Sequence, residues 1–328
     1  MRELNAKYRL ARLMASSRSY AHKLGWGVGA VGLLATLQGV VRTILLHLMR
    51  PINSEIRLRS GPLLEFNFPS QVPTALIMFG DMIDPEFAFL RRIARPDWVV
   101  ADVGAAIGQF TLFAARLPVH RIHAFEPSGA NVLVLRRNVA RNEVTGSVEI
   151  HQLALGETEY EAFFETTDHT WVSRISQTAG DAHMVGQTDK VQVRTLAGEL
   201  DRLGVHHLSV LKINVAGFEA GVLAGAEPLL ARGGADILVL LLGLASLPEY
   251  AKLAGWGYRF FYFHPREKAL YEITEFDADS VLNHRPWPAR HIIAIHSSAM
   301  SRRVTGDMPI RAIRAPTGDR HVHHLQIS

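Results

Sequence analysis

The chain of 328 residues contains no cysteine. Disulfide bonds, a thiolate nucleophile and a cysteine-ligated metal centre are therefore excluded, and a reducing compartment such as the cytoplasm is the expected location. A basic body is missing too. Residues 1–50 hold eight Lys/Arg against Glu3 alone, and residues 301–328 hold five Arg against two Asp, so the two ends carry +7 and +3. With a net charge of +4, residues 51–300 carry −6. A mildly acidic body excludes a protein-wide nucleic-acid surface, so no nucleic-acid partner is expected. Long apolar runs are scarce. Residues 24–41 (LGWGVGAVGLLATLQGVV) are eighteen positions without a charge, short of the about 20 that a membrane span needs. No internal repeat is visible.

What the first fifty residues do offer is an apolar stretch behind six basic residues. A secretory signal fits poorly, because the charged lead is long and no small-residue cleavage pattern follows. Three settings remain open: a helix packed on the folded body, a basic helix lying on the surface of the cytoplasmic membrane, or a single span. Gly25, Gly27, Gly29 and Gly32 would weaken an isolated helix in water, which favours a packed or membrane setting.

Beyond Pro51 the pattern is that of a folded body. EIRLR (55–59) and LEFNF (64–68) alternate on either side of Ser60-Gly61-Pro62 and predict a β-hairpin. Asp84-Pro85-Glu86 opens a helix through Ile93. From Trp98 onward, apolar strands alternate with helices: WVVADVG, RIHAFEP, VEIHQLAL, LSVLKIN and DILVLLL, then strands at 258–263 and 291–296. Continuous apolar strands mean a parallel sheet covered on both faces. The expected fold is α/β: a Rossmann-like, seven-stranded, mostly parallel sheet with helices on both faces, preceded by an N-terminal helix and the hairpin. The expected divisions are 1–50, a lead-in at 51–95, the main domain at 96–298 and a flexible basic tail at 299–328. A hairpin at 160–165, followed by a polar loop, is expected between the third and fourth of these strands.

The turn after the first of these strands reads Asp102-Val-Gly104-Ala105-Ala106-Ile-Gly108. Glycines let the backbone turn sharply and approach a ligand, and a helix N-terminus behind them offers free N–H groups. The next strand ends in Glu126-Pro127, and a carboxylate there can accept hydrogen bonds from a ribose diol. The spacing G-x-x-x-G is not the G-x-G-x-x-G of nicotinamide enzymes, so a nucleoside other than a dinucleotide is expected.

DVGAAIGQFTLFAAR, HAFEPSGANVLVLRRNVARN, VEIHQLALGE and LKINVAGFEAGVLAGA, in that order, resemble the FkbM-type methyltransferases. The resemblance covers about residues 75–245 and implies S-adenosylmethionine as cofactor and a hydroxyl of a small molecule or glycan as methyl acceptor. It implies that Asp102, Gly104, Ala105, Ala106 and Gly108 line the methionine part, that Glu126 and Pro127 hold the ribose, and that Ala154 and Leu155 border the adenine. It also implies that Lys212 and Asn214, at the end of the fourth strand, face the methyl.

The chain departs from the family where chemistry is done. Lys212-Ile-Asn214-Val-Ala216-Gly217 replaces Lys-Ile-Asp-x-Glu-Gly, Ala197 replaces an aspartate, strand five ends at Leu242 without a glutamate, and Ala106 replaces an asparagine. An amide can orient a hydroxyl but cannot take its proton at neutral pH. Either the base lies elsewhere, with Lys212, Asp168, His169 and His264 as candidates, or the fold is kept without turnover. His206, His207 and the tail residues His321, His323 and His324 lack a completing ligand set, so no metal is expected.

Overall fold

The computed structural model describes residues 27–28, 31–49, 53–68, 74–81, 84–166, 173–176, 188–215, 217–241, 247–274, 291–302 and 304–312. Helix α1 (Leu33–Met49) leads to the hairpin β1 (Ser54–Arg57) and β2 (Leu63–Phe66), then to α2 (Thr74–Phe79) and α3 (Pro85–Ile93). Alternation begins with β3 (Val99–Val103), α4 (Gln109–Ala114), β4 (Arg121–Phe125), α5 (Gly129–Arg141) and β5 (Val148–His151). Four strands interrupt it: β6 (Ala154–Leu155), β7 (Tyr160–Thr166), β8 (Ser173–Ser176) and β9 (Thr188–Arg194). It resumes with α6 (Leu196–Arg202), β10 (Leu208–Ile213), α7 (Glu219–Gly225), α8 (Glu227–Leu230), β11 (Ala235–Leu240) and α9 (Leu247–Gly255). The end is β12 (Tyr258–His264), β13 (Ala269–Ile273), β14 (Ile292–His296), α10 (Ser297–Ser301) and β15 (Ile310–Ala312).

The main sheet runs β15-β13-β12-β14-β11-β10-β3-β4-β5. Strands β11, β10, β3, β4 and β5 are parallel, while β14 is inserted antiparallel between β11 and β12. All seven expected strands are present. The correction is at one edge, where β13 pairs antiparallel with β12 and β15 pairs parallel with β13, making nine. The tail therefore starts later than expected: Val304 and Thr305 are buried, Leu270 N–H donates to Pro309 O at 2.9 Å, and β15 completes the edge. Residues 313–328 lie outside the described residues, as do Asp168, His169, Ala216 and Leu242. The hairpin expected at 160–165 is instead one continuous strand: β7 pairs antiparallel with β8 and β9, and with β6 these make a separate four-stranded sheet.

Apolar side chains fill both faces of the main sheet. Val100, Ile122, Ala124, Val210 and Val239 pack on one side beneath Phe87, Phe110, Phe113 and Leu135 of α3, α4 and α5. Ala101, Val103, Phe125, Leu211 and Leu238 pack on the other against α6, α7 and α8 through Leu200, Val222 and Leu230. Asn138 of α5 and Asn142, its C-cap, bind the hairpin: Asn138 Oδ1 accepts from Glu65 N–H and Asn142 Oδ1 from Leu63 N–H, both at 2.8 Å. Pairing these amides satisfies strand-edge groups that would otherwise be left open.

Helix α1 is packed on the body through small residues. Thr36, Gly39 and Thr43 are buried, and a Cβ on Gly39 would lie 2.0 Å from Met78 O of α2. A Cβ on Gly27 would meet the Phe79 ring at 2.1 Å. Here glycines permit close backbone approach at the cost of helix propensity. No helix among the described residues is long and apolar enough to cross a membrane.

Candidate active site at the carboxyl edge of the sheet

Strand β3 has β4 on one side and β10 on the other, so the chain leaves it in both directions. A crevice opens at the carboxyl ends of strands at such a point, where α/β folds bind ligands. The Asp102–Gly108 loop lies there. Gly104 has φ +75°, and a Cβ on it would come 2.1 Å from Asn214 O, so only glycine lets the loop press against the end of β10. Gly108, at φ +102°, sits at the N-terminus of α4 under Leu135. Ala106 is left-handed at φ +49°, a conformation that glycine and asparagine tolerate better than alanine.

Asp102 is wholly buried. Its Oδ2 accepts from Thr111 Oγ1 at 2.6 Å, and its Oδ1 pairs with Lys212 Nζ at 2.8 Å. Lys212 also donates to Gly104 O at 2.9 Å and lies 5.9 Å from the Phe110 ring centre. All its strong partners belong to the loop and to β3, so it ties the loop to the sheet.

Glu126 is buried beside the loop. Its Oε1 accepts from Ser128 N–H and Asn131 Nδ2 at 3.1 Å each, and its Oε2 accepts from Ala106 N–H at 2.9 Å. Burial pushes its carboxyl above the usual carboxylate range, against the pull of these bonds and of Lys212. Gly104 and Ala105 both donate to Phe125 O at 3.0 Å, which fixes the loop over the end of β4. Pro127 follows Glu126 at the entry to α5, which Ser128 caps through Asn131 N–H.

Ala154 and Leu155 stand elsewhere than a continuous third strand would put them. They form β6, paired with Val193 and Arg194 in the second sheet, and both side chains are buried. Ala154 packs with Ala162, Phe164, Val191 and Val193. His264 turns into its own β12–β13 connection, where its Nδ1 accepts from Glu267 N–H at 3.2 Å.

Asn214 has a partner that sequence reasoning missed. Its Nδ2 lies 3.2 Å from His291 Nε2, and His291 Nδ1 is hydrogen-bonded to Glu86 Oε1. His291 and Glu86 are both buried. An amide N–H facing Nε2 requires a lone pair there, so the ring proton is on Nδ1 and points at the carboxylate. Glu86 comes from the first turn of α3, and His291 precedes the antiparallel strand β14, whose start lies at the carboxyl edge. The signal available in the sequence was a histidine placed immediately before the last apolar strand. On the other side of Asn214, Glu219 accepts from Val215 N–H at 3.0 Å and Gly217 N–H at 2.9 Å and holds the following turn.

Two groups among the described residues bring three potential metal ligands within 4.8 Å of one another: Asp84, Glu86 and His291, and His123, Glu149 and His151. In the first, Glu86 and His291 bond directly to each other. In the second, His123 Nδ1 lies 3.2 Å from His151 Nε2, and Glu149 is paired with Arg121 at 2.9 Å. Burial holds both imidazoles of the second group below their usual pKa.

Residues 102–251 match the family profile described as the Methyltransferase FkbM domain. The 31-O-demethyl-FK506 methyltransferase FkbM of Streptomyces tacrolimicus is 32% identical over 160 residues, which is 40% of this chain and 61% of that relative. The chain thus spans about three fifths of the curated relative it matches. Among solved structures, methyltransferase FkbM of Methylobacillus flagellatus is similar at 13% identity and TM-score 0.42, over 84% of this chain and 58% of that one. Methanocaldococcus jannaschii Trm5, solved with adenosine, is similar at 12% identity and TM-score 0.39, over 74% and 54%. The profile match, on a sheet with this strand order and this glycine loop, defines a Rossmann-like methyltransferase domain. The likeness to the FkbM methyltransferase domain thus extends over residues 102–251, a little under half of the chain.

Proposed function

We propose that the protein is an S-adenosylmethionine-dependent O-methyltransferase acting on a hydroxyl of a small molecule or glycan, with His291 as the proton acceptor. The row Glu86–His291–Asn214 beside the glycine loop carries this reading. The residues present fit the nucleoside part of the cofactor. A carboxylate offers about four acceptor positions; Glu126 uses three of them, which leaves one on Oε2 for a ribose hydroxyl. Asp102 is spent on Thr111 and Lys212 and organises the loop instead of touching a ligand.

When bound, S-adenosylmethionine supplies a sulfonium methyl for in-line displacement. Asn214 orients the acceptor oxygen at the carboxyl edge. With an acceptor hydroxyl displacing the Asn214 N–H from the Nε2 lone pair, His291 would take the hydroxyl proton as the methyl is transferred. Glu86 stabilises the imidazolium that results, and a base so placed contributes about 10²–10⁴-fold. In this reading His291, just before β14, takes over the role of the acid that the resemblance implies at position 214. Lys212 holds the loop and is a positioning residue. The silent-fold reading lacks an observation of this kind, since it leaves a buried histidine–carboxylate pair at the ligand edge without a role.

The test is release of S-adenosylhomocysteine with a panel of sugar and alcohol acceptors, alongside calorimetric cofactor titration. His291→Gln is expected to lower turnover about 100-fold or more with cofactor affinity unchanged. Full turnover in that variant would remove the base role, and cofactor binding without turnover on any acceptor would restore the silent reading.

A further inference from the structure

Helix α1 presents two unlike faces. Thr36, Gly39 and Thr43 are buried against the body, and the opposite side carries Leu34, Leu37, Val41, Ile44, Leu45 and Leu48. At 100° per residue these six fall in one arc roughly 100° wide, and each is 49–75% exposed. Leu33 and Met49, at 61% and 74%, extend the surface at its two ends. So large a contiguous apolar surface marks an interaction site on a folded protein.

We propose that this face docks onto an anionic lipid bilayer, with α1 lying in the interface plane. Three observations select that occupant. The inward face is committed to α2, down to backbone contact at Gly39, so lipid cannot surround the helix and it lies on the membrane without crossing. Residues 1–50 carry +7, and a basic segment beside an apolar helix face is the composition that anionic lipid attracts. A second copy on the same face would bring two +7 segments together, at a cost that a negatively charged bilayer does not impose. This inference does not rest on the methyl-transfer reading.

The experiment is flotation of the full chain with vesicles of phosphatidylcholine alone and of phosphatidylcholine mixed with phosphatidylglycerol, with size measured by light scattering. The comparison variant is Leu34→Glu, Leu37→Glu, Leu48→Glu, three exposed positions whose change leaves the packed face intact. The full chain should float with the anionic vesicles, less so as salt rises, and the variant should lose at least tenfold in partitioning with an unchanged thermal midpoint. Equal flotation of the two proteins overturns the proposal. So does failure of the full chain to bind anionic vesicles, or a dimer that the variant converts to monomer without any vesicle binding.

Discussion

Lys212 Nζ and Asp102 Oδ1 are 2.8 Å apart across the junction of β10 and β3, with the carboxylate wholly enclosed and the lysine nearly so. Breaking a buried pair by removing one partner leaves an uncompensated charge, a cost of about 3–5 kcal/mol. Lys212→Met is expected to lose that much stability in denaturant unfolding, and Lys212→Met with Asp102→Asn to recover part of it. A loss below about 1 kcal/mol, the range of exposed pairs, would show that the pair does not hold the loop.

Ala106 occupies a left-handed conformation in the glycine loop, at a position where the sequence resemblance implies asparagine. The Cβ penalty there is roughly 1–2 kcal/mol, and asparagine bears it better through local hydrogen bonding. Ala106→Asn is expected to raise the thermal midpoint by a few degrees, measured by calorimetry. A lowered midpoint would mean that the space around residue 106 decides, and not its backbone.

Asp236 begins the pH argument for stability. Burial pushes its carboxyl up, but hydrogen bonds and charge from His207 (3.2 Å) and Arg302 outweigh that and leave it below the usual range. A depressed folded-state value contributes stability above the ordinary carboxylate pKa, and the contribution is lost as pH falls through the depressed value. Asp236→Asn should therefore flatten the acid side of the stability curve below about pH 4 and should also lower stability at neutral pH. An unchanged acid limb would remove Asp236 from the titration.

Much of the fold is written in periodicity. Strands β3, β4, β10 and β11 are buried on both faces, so each reads as a mostly apolar run without the alternation of a half-exposed strand. Strand β15 has three exposed residues and no apolar pattern, and it exists only because β13 offers an open edge. The second sheet was not legible: 160–165 reads as a hairpin, whereas it is one strand whose partner β9 lies more than twenty positions further on in the sequence. In the site, the glycines and Glu126 announce themselves by position at strand ends. His291 does not, because its place at the ligand edge depends on β14 running antiparallel, which no local residue declares. Lys212 could be read either as a base or as a tether, and its distances to Asp102 and Gly104 O are those of a tether.

Glu126 joins the cofactor reading to a measurable affinity. Titrating the full chain with S-adenosylhomocysteine by calorimetry should give a dissociation constant near 1 μM, about −8 kcal/mol. Glu126→Ala should abolish the heat. Because burial raises the Glu126 carboxyl, affinity should already weaken on acidification at a pH above the usual carboxylate range, as the acceptor oxygen becomes protonated. Absence of binding, or binding untouched in Glu126→Ala, would contradict the assignment of this edge as an S-adenosylmethionine site.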